Sequence, residues 1–82
     1  MNNCIHNAIY DSSNDVLYIH FTSKPAKNSY GDEVVDGIVI FSDMDTDEMT
    51  GITIFYPKRD LRDRLRELHG LGLEIDLPKY IQ

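Results

Sequence analysis

The sequence predicts an α+β fold in which an antiparallel sheet of four or five strands, built as two hairpins, carries one C-terminal helix on one face. Two pairs of short apolar segments are each joined by a polar turn, which is typical of β-hairpins. A leucine stripe near the C-terminus recurs at helical spacing. The chain has 82 residues, of which 41% are hydrophobic and 27% charged. These values predict one small globular domain over residues 1–82.

The first hairpin is predicted from the stretch YDSSNDVLYIHF, which begins at Tyr10. Residues 5–10 and 15–21 alternate between apolar and polar side chains, as strands do. The short polar side chains of residues 11–14 bond nearby backbone groups and predict a turn. Asp11 and Asp15 could instead be a catalytic carboxylate pair, but the turn interpretation is favoured. With Tyr10 opposite Asp15, one face carries Ala8, Tyr10, Leu17 and Ile19, and the other carries Ile9, Val16 and Tyr18.

The second hairpin is predicted from residues 37–42 and 51–56, which are joined by an acidic loop. Residues 22–32 are rich in turn formers and predict a long loop, with an irregular edge strand leading into residues 33–35. Asp36 and Gly37 predict a tight turn. One face of this hairpin is expected to turn towards the core with Ile38, Ile40, Ile52 and Ile54. The opposite face then carries Val39, Phe41, Thr53 and Phe55.

The helix is predicted over residues 61–69, with Asp60 as its N-cap and Gly70 just beyond its C-terminus. Its leucine stripe consists of Leu61, Leu65 and Leu68. We expect Ile40, Ile54 and Leu65 to be almost fully buried where helix and sheet meet. Residues 71–82 are expected to form a short edge strand or an extended arm.

Three motifs, YDSSNDVLYIHF, EVVDGIVIFSD and GITI, resemble a family of small bacterial proteins of unknown function. The family pattern runs Tyr-Asp, three residues, then Asp-x-Leu-Tyr-Ile, and the resemblance covers about residues 8–55. It implies a small antiparallel sheet with a helix, no established activity and, from neighbouring genes, an antitoxin-like role. The chain departs from the pattern at Thr53, where Glu is usual, and at Phe41, where a polar residue is common.

Composition predicts a cytoplasmic protein with acidic character. The net charge is −6, from 14 acidic and 8 basic residues, which disfavours direct binding to nucleic acid and favours basic partners. A single cysteine, Cys4, precludes an internal disulfide, as is typical of a reducing compartment. The sequence shows no base that would activate the Cys4 thiol as a nucleophile, so a structural role is expected for Cys4. No apolar run is long enough for a membrane span, and the N-terminus lacks a signal-peptide pattern.

No metal, cofactor or catalytic residue is predicted. Asp43, Asp45 and Asp47 have the spacing of the first calcium ligands in an EF-hand loop. That loop also needs Gly at its sixth position and Glu at its twelfth, where this chain has Glu48 and Ile54. The three histidines fall in different predicted elements, and no glycine-rich phosphate loop is present.

Two charged sites are candidates for binding a partner. The acidic loop contributes Asp43, Asp45, Asp47 and Glu48, and the helix region contributes Arg59, Arg62 and Arg66. Each site also has a structural interpretation, as a solvated hairpin loop and as a helix face with intrahelical ion pairs.

An oligomer interface is predicted on the sheet face that the helix cannot reach. Its residues are Ile9, Val16, Tyr18, Val39, Phe41 and Phe55. Since exposed apolar patches of this size usually mark interfaces, a homodimer is expected. The alternative is that the C-terminal arm covers this face.

These features predict a non-enzymatic cytosolic interaction protein that is antitoxin-like or inhibitor-like and binds a small basic protein such as a toxin. One alternative is a small metal-dependent hydrolase or nuclease using Asp43 and Asp45. Another is an acidic phage-type inhibitor that mimics nucleic acid charge.

Overall fold

A computed structural model of the protein describes residues 5–22 and 29–82 and confirms the predicted α+β class. Five strands, β1 (Asn7–Asp11), β2 (Val16–His20), β3 (Ser29–Val35), β4 (Ile38–Asp43) and β5 (Met49–Phe55), precede the helices α1 (Leu61–Gly70) and α2 (Leu77–Tyr80). The strands form one antiparallel sheet in the order β1-β2-β5-β4-β3. The expectation for Cys4 and part of the predicted 22–32 loop lie outside the described residues.

The first hairpin forms with a different register from the predicted one. Tyr10 pairs with Leu17 and Asp11 with Val16, so the turn occupies residues 12–15. The predicted pairing of Tyr10 with Asp15 is therefore wrong by two residues. Because side chains alternate with a period of two, this shift leaves every side chain on its predicted face.

The second hairpin confirms the predicted facing of its isoleucines. Ile38 pairs with Ile54 and Ile40 with Ile52. At the preceding turn Gly37 has φ of 97°, a conformation that favours glycine. The strand β3 begins well inside the segment predicted as a loop. It is the outermost strand, where a glycine and several polar side chains are tolerated because only one neighbour must be matched.

The core lies on one face of the sheet and is closed by the C-terminal part of the chain. The sheet contributes fully buried Leu17, Ile19, Ile38, Ile52 and Ile54. They pack with Leu68 of α1 and with four buried side chains that follow it, Leu73, Ile75, Leu77 and Ile81. Residues 71–82 form no strand, and their short helix α2 lies against β1. The arm thus covers the core face and not the opposite face.

The orientation of α1 differs from the predicted one. Leu68 is buried, but Leu65 is 37% exposed, so its predicted burial is wrong. Arg64 is buried instead at 7% exposure. Ile40 is only half-buried, whereas Ile54 is fully buried as expected. The helix is rotated so that Arg64 faces the sheet, and the 73–81 segment supplies the apolar contacts expected from Leu65.

Both ends of α1 depart from the predicted capping. Asp60 is the N-cap residue, but its side chain makes no capping hydrogen bond and pairs instead with Arg59 and Arg64. The helix runs through Gly70, and the left-handed residue after it is Gly72, with φ of 77°. The predicted role of Gly70 as terminator is therefore taken by Gly72.

Candidate functional site

The sheet face opposite the core is not covered by either helix, and we call it the open face. Its central cross-strand row follows from the strand register and consists of Ile9, Tyr18, Thr53, Val39 and Glu33. Ile9 is 53% exposed and Tyr18 is 41% exposed, although they are neighbours on adjacent strands. These two side chains offer the most accessible apolar surface on the face.

The six residues predicted as an oligomer interface all lie on the open face, but they differ in accessibility. Val16 is buried, and Val39, Phe41 and Phe55 are half-buried. The ring of Phe41 packs over the backbone of β3, because a Cβ added to Gly31 would lie 2.8 Å from its Cε1 atom. Part of the Phe41 surface is therefore used within the fold.

A half-open hollow of about 260 Å³ interrupts the open face. Its walls include Tyr18, His20, Phe41 and Thr53, and Gly51 is also among its lining residues. Gly51 pairs with His20 on one side and with Phe41 on the other, and a Cβ added to it would lie 2.8 Å from the carbonyl oxygen of Ile19, so only glycine fits at the floor of the hollow. The hollow can accept an apolar side chain from a molecule that docks on this face.

Asp11 confirms the turn interpretation of the opening stretch. Its carboxylate accepts hydrogen bonds from the amides of Ser13 and Asn14 at 3.1 and 3.3 Å, and from the Asn14 side chain at 2.8 Å. The side-chain bond from Asn14 and these amide bonds hold the pKa of Asp11 below its ordinary value. The carboxylate thus stabilises the hairpin turn.

Asp15 joins the first hairpin to the segment that leads into α1. Its carboxylate accepts hydrogen bonds from the amides of Lys58 and Arg59 at 3.1 and 3.0 Å and from the Tyr10 hydroxyl at 2.8 Å. Partial desolvation acts to raise the pKa of Asp15, but the hydrogen bonds and the charge of Arg59 outweigh it and lower the pKa. Sequence reasoning missed this link because the partners are more than 40 residues apart.

Replacing Asp15 with Asn is expected to reduce the free energy of unfolding by about 1–2 kcal/mol at neutral pH, because charge-assisted hydrogen bonds are lost. The folded pKa lies below the unfolded value of about 3.9, so the carboxylate stabilises the fold above that pH. This contribution disappears as the pH falls through the folded pKa. Urea denaturation from neutral to acidic pH should therefore show the wild type and Asp15→Asn converging in acid.

The matched control for this measurement is Tyr10→Phe, which keeps the carboxylate and removes one of its hydrogen bonds. It should show a smaller gap that closes over the same acidic range. A gap between wild type and Asp15→Asn that stays constant into strong acid would contradict the role assigned to the Asp15 carboxylate.

Asp43 closes the acidic loop between β4 and β5. Its carboxylate accepts hydrogen bonds from the amides of Asp45 and Thr46 at 2.8 and 3.3 Å. Asp47 has a left-handed φ of 60°, and its carboxylate accepts a 3.4 Å hydrogen bond from the hydroxyl of Tyr30 on β3. In the part of the chain that the structure describes, no group of three or more His, Cys, Asp or Glu side chains is arranged to hold a metal ion. The loop is thus an internally bonded turn attached to β3.

Negative charge is concentrated in one half of the sheet. Residues 29–57 contain seven acidic side chains and no Lys, Arg or His. They form β3, β4, β5 and the turns between them, which lie on one side of the strand order. Of the four acidic residues predicted to bind a partner, Asp45, Asp47 and Glu48 are exposed and Asp43 is half-buried. This half of the sheet can attract a basic molecule.

The three predicted partner-binding arginines are exposed, and two of them have acidic partners. Arg59 pairs with Asp60 at 3.0 Å and stacks 3.8 Å above the ring of Tyr56. Arg66 pairs with Asp63 at 2.7 Å. Among the described residues, Arg62 has no ion pair. The arginines do not join the acidic loop, because Arg59 lies beside Asp15 at the opposite end of β5.

Arg64 is the buried basic residue that sequence reasoning missed. Its Nε donates to the carbonyl oxygen of Phe55 at 2.8 Å, and its Nη1 donates to Glu67 at 2.6 Å. Asp60 lies 3.8 Å from its Nη2. A cleft of about 470 Å³ with an acidic rim surrounds this group. Its burial could have been predicted from spacing. Arg64 comes three residues after Leu61 and four before Leu68, which places it on the same side of the helix as these leucines.

The fold and these surfaces define a small α+β domain with one covered and one open sheet face. Residues 7–56 match the family described as "Protein of unknown function (DUF2283)". Since the match spans more than half of the 82 residues, the chain belongs to this family. No curated protein and no solved structure matches the chain. The resemblance to a family of unknown function is thus confirmed, and the antitoxin-like association stays a prediction.

In the described ranges, none of the helices has the length and apolar character that crossing a membrane would require.

Proposed function

We propose that this protein is a non-enzymatic cytoplasmic interaction protein that self-associates through the open face and binds a small basic protein, in the manner of an antitoxin or inhibitor. The observation that carries the proposal is the unequal covering of the sheet. Both α1 and the buried 73–81 segment pack on the core face, and neither reaches the opposite one. An apolar sheet face that neither helix covers is a natural site for association.

Self-association is supported by the charge pattern of the open face. Along its cross-strand row from Ile9 through Thr53 to Val39, the open face carries uncharged side chains, including exposed Ile9 and Tyr18. Burying apolar area contributes roughly 25 cal/mol per Å². The net charge of −6 on each copy opposes association, but physiological salt screens such repulsion within about 8 Å. A two-fold dimer in which the face meets itself is the simplest arrangement.

Binding of a basic partner is supported by the segregation of charge. Since residues 29–57 carry seven acidic and no basic side chains, they would attract a positively charged surface. The open face and the acidic half serve different partners, because the first is mainly apolar and the second carries exposed carboxylates at its loop and outer strand. A dimer would therefore leave the exposed acidic loop between β4 and β5 on the surface.

Sedimentation velocity is expected to show the wild type as a dimer at micromolar concentration and the double variant Ile9→Glu, Tyr18→Glu as a monomer. The two glutamates would place like charges within a self-complementary interface. Both positions are exposed in the single chain, so the fold should survive. They are better targets than Phe41, whose ring covers Gly31 within the monomer.

The matched control is Leu71→Glu, which introduces a charge at an exposed apolar residue away from the open face and should stay dimeric. A monomeric wild type at high concentration, or a double variant that remains dimeric, would contradict association through this face.

Immobilised wild type should also retain one basic protein from native lysate in stoichiometric amount. Metal-dependent hydrolysis that is lost in Asp43→Asn would instead support the hydrolase alternative.

A further inference from the structure

The outer strand β3 is an accessible sheet edge. It is the last strand in the order β1-β2-β5-β4-β3, and every residue from Tyr30 to Val34 is exposed. Outer strands direct alternate backbone N–H and C=O groups away from the sheet, where they can pair with another chain. The opposite edge differs, because α2 lies against β1.

The usual devices that block a sheet edge are weak in β3. The strand contains no proline and no lysine, which commonly prevent pairing. It has a bulge, but this lies between Glu33 and Val35 at the end of the strand. From Ser29 to Glu33 each residue keeps a regular partner on β4. Five consecutive residues therefore offer a straight template for an added strand.

The charge around this edge selects the kind of strand that can pair with it. Asp32 and Glu33 project to opposite sides of the sheet, because successive residues of a strand alternate. Asp36 follows the strand, and Asp47 is bonded to Tyr30 near its start. Two β3 edges from two copies would bring these carboxylates together, which disfavours self-pairing. A basic strand would instead be attracted by these carboxylates.

Gly31 favours a particular kind of side chain in the added strand. It has no side chain on the open face, and the ring of Phe41 on the neighbouring strand reaches over it. A bulky apolar side chain opposite Gly31 would contact that ring. The residues opposite Asp32 and Glu33 are consecutive in the added strand, so two adjacent basic side chains would each reach one carboxylate.

We propose that β3 accepts an extended segment of a basic protein as a sixth strand, with two adjacent basic residues opposite Asp32 and Glu33 and a large apolar residue opposite Gly31. This inference rests on the proposed binding of a basic partner and specifies how that partner is held. Backbone hydrogen bonds along β3 supply the affinity, and the alternating side chains supply the selectivity. The open face stays available for dimerisation.

The test uses the full chain and the synthetic peptide Thr-Val-Lys-Arg-Phe-Val-Thr with blocked ends, followed by NMR titration. Amide signals of β3 should shift and exchange more slowly with solvent, whereas those of β1 should not change. A peptide with Gln-Gln in place of Lys-Arg should bind about tenfold more weakly, because it lacks the charge attraction. Two further peptides carry N-methyl groups on alternate backbone amides, one on the amides that would face β3 and the other on those that would face solvent. If the peptide pairs as a strand, only the first should fail to bind.

Protein variants test the same geometry from the other side. Asp32→Asn with Glu33→Gln should weaken binding of the Lys-Arg peptide about tenfold. The control Glu74→Gln with Asp76→Asn removes the same number of exposed charges away from β3 and should bind as the wild type does. Since Glu33 accepts a 3.4 Å hydrogen bond from the Gly37 amide, Asp32→Lys alone serves if the first variant is unstable.

Three outcomes would overturn the inference. If both N-methylated peptides bind equally, the basic segment is attracted without strand pairing, and the proposed basic partner stands while this inference fails. Signals of β3 that shift on dilution of the Ile9→Glu, Tyr18→Glu variant, which cannot dimerise through the open face, would identify a second copy as the occupant. If millimolar Lys-Arg peptide leaves the β3 signals unchanged, the edge takes no basic strand, and the proposed dimer is then judged separately by sedimentation.

Discussion

Replacing Ile54 with Ala is expected to lower the free energy of unfolding by roughly 2–5 kcal/mol, because apolar burial is lost and a cavity remains. Ile54 is fully buried on β5, the central strand, and its pairing partners Leu17 and Ile38 are also fully buried. Both neighbouring strands are held by further pairing, so the site has little freedom to collapse around the missing atoms. Equilibrium urea denaturation with unchanged slope measures this loss.

The matched control is Leu71→Ala, which removes as many carbon atoms from a side chain that is exposed and lies away from the open face. Its effect on the free energy of unfolding should stay within about 0.5 kcal/mol, as for most surface substitutions. A denaturation midpoint for Ile54→Ala equal to that of the wild type would show that the core has been assigned to the wrong sheet face.

Replacing Gly37 with Ala is expected to lower the free energy of unfolding by roughly 2–4 kcal/mol, through backbone strain and overpacking together. The φ of 97° at Gly37 is a conformation that side-chain-bearing residues rarely adopt. The added Cβ would also overlap the guanidinium of Arg64. That guanidinium cannot move away without losing its hydrogen bonds to the Phe55 carbonyl and Glu67. Thermal or urea unfolding measures the change.

Gly72→Ala separates the two contributions to this effect. Gly72 has φ of 77°, but an added Cβ there meets nothing within 4 Å, so only backbone strain of about 1–2 kcal/mol is expected. The double variant Gly37→Ala, Arg64→Ala should be less destabilised than the sum of its single variants, because the overlap is removed. Equal effects at the two glycines would refute the contact with Arg64.

The strands and their facing could be predicted because both depend on local periodicity. The alternation of Ile38 and Ile40 with Val39 and Phe41 fixes which side chains share a face, whatever the partner strand. The same periodicity tolerates a shift of two residues, which is why the Tyr10 register was wrong although every face was right.

The features that could not be predicted depend on contacts between distant parts of the chain. The helical spacing of Leu61, Leu65 and Leu68 allows several rotations about the helix axis, and the apolar 73–81 segment decides among them. An arginine is ordinarily assigned to the surface. Its aliphatic stem can nevertheless pack against apolar neighbours while the charged end finds partners, as Arg64 does between Phe55 and Glu67.

The part of the chain that matches the family is shorter than the part that is needed to form the core. The family match ends at residue 56, yet half of the core cluster comes from residues beyond it, Leu68, Leu73, Ile75, Leu77 and Ile81. A relative recognised only by the shared sheet must therefore obtain an equivalent lid from sequence that the family pattern does not describe. Members of one family can thus present similar sheets with different outer surfaces.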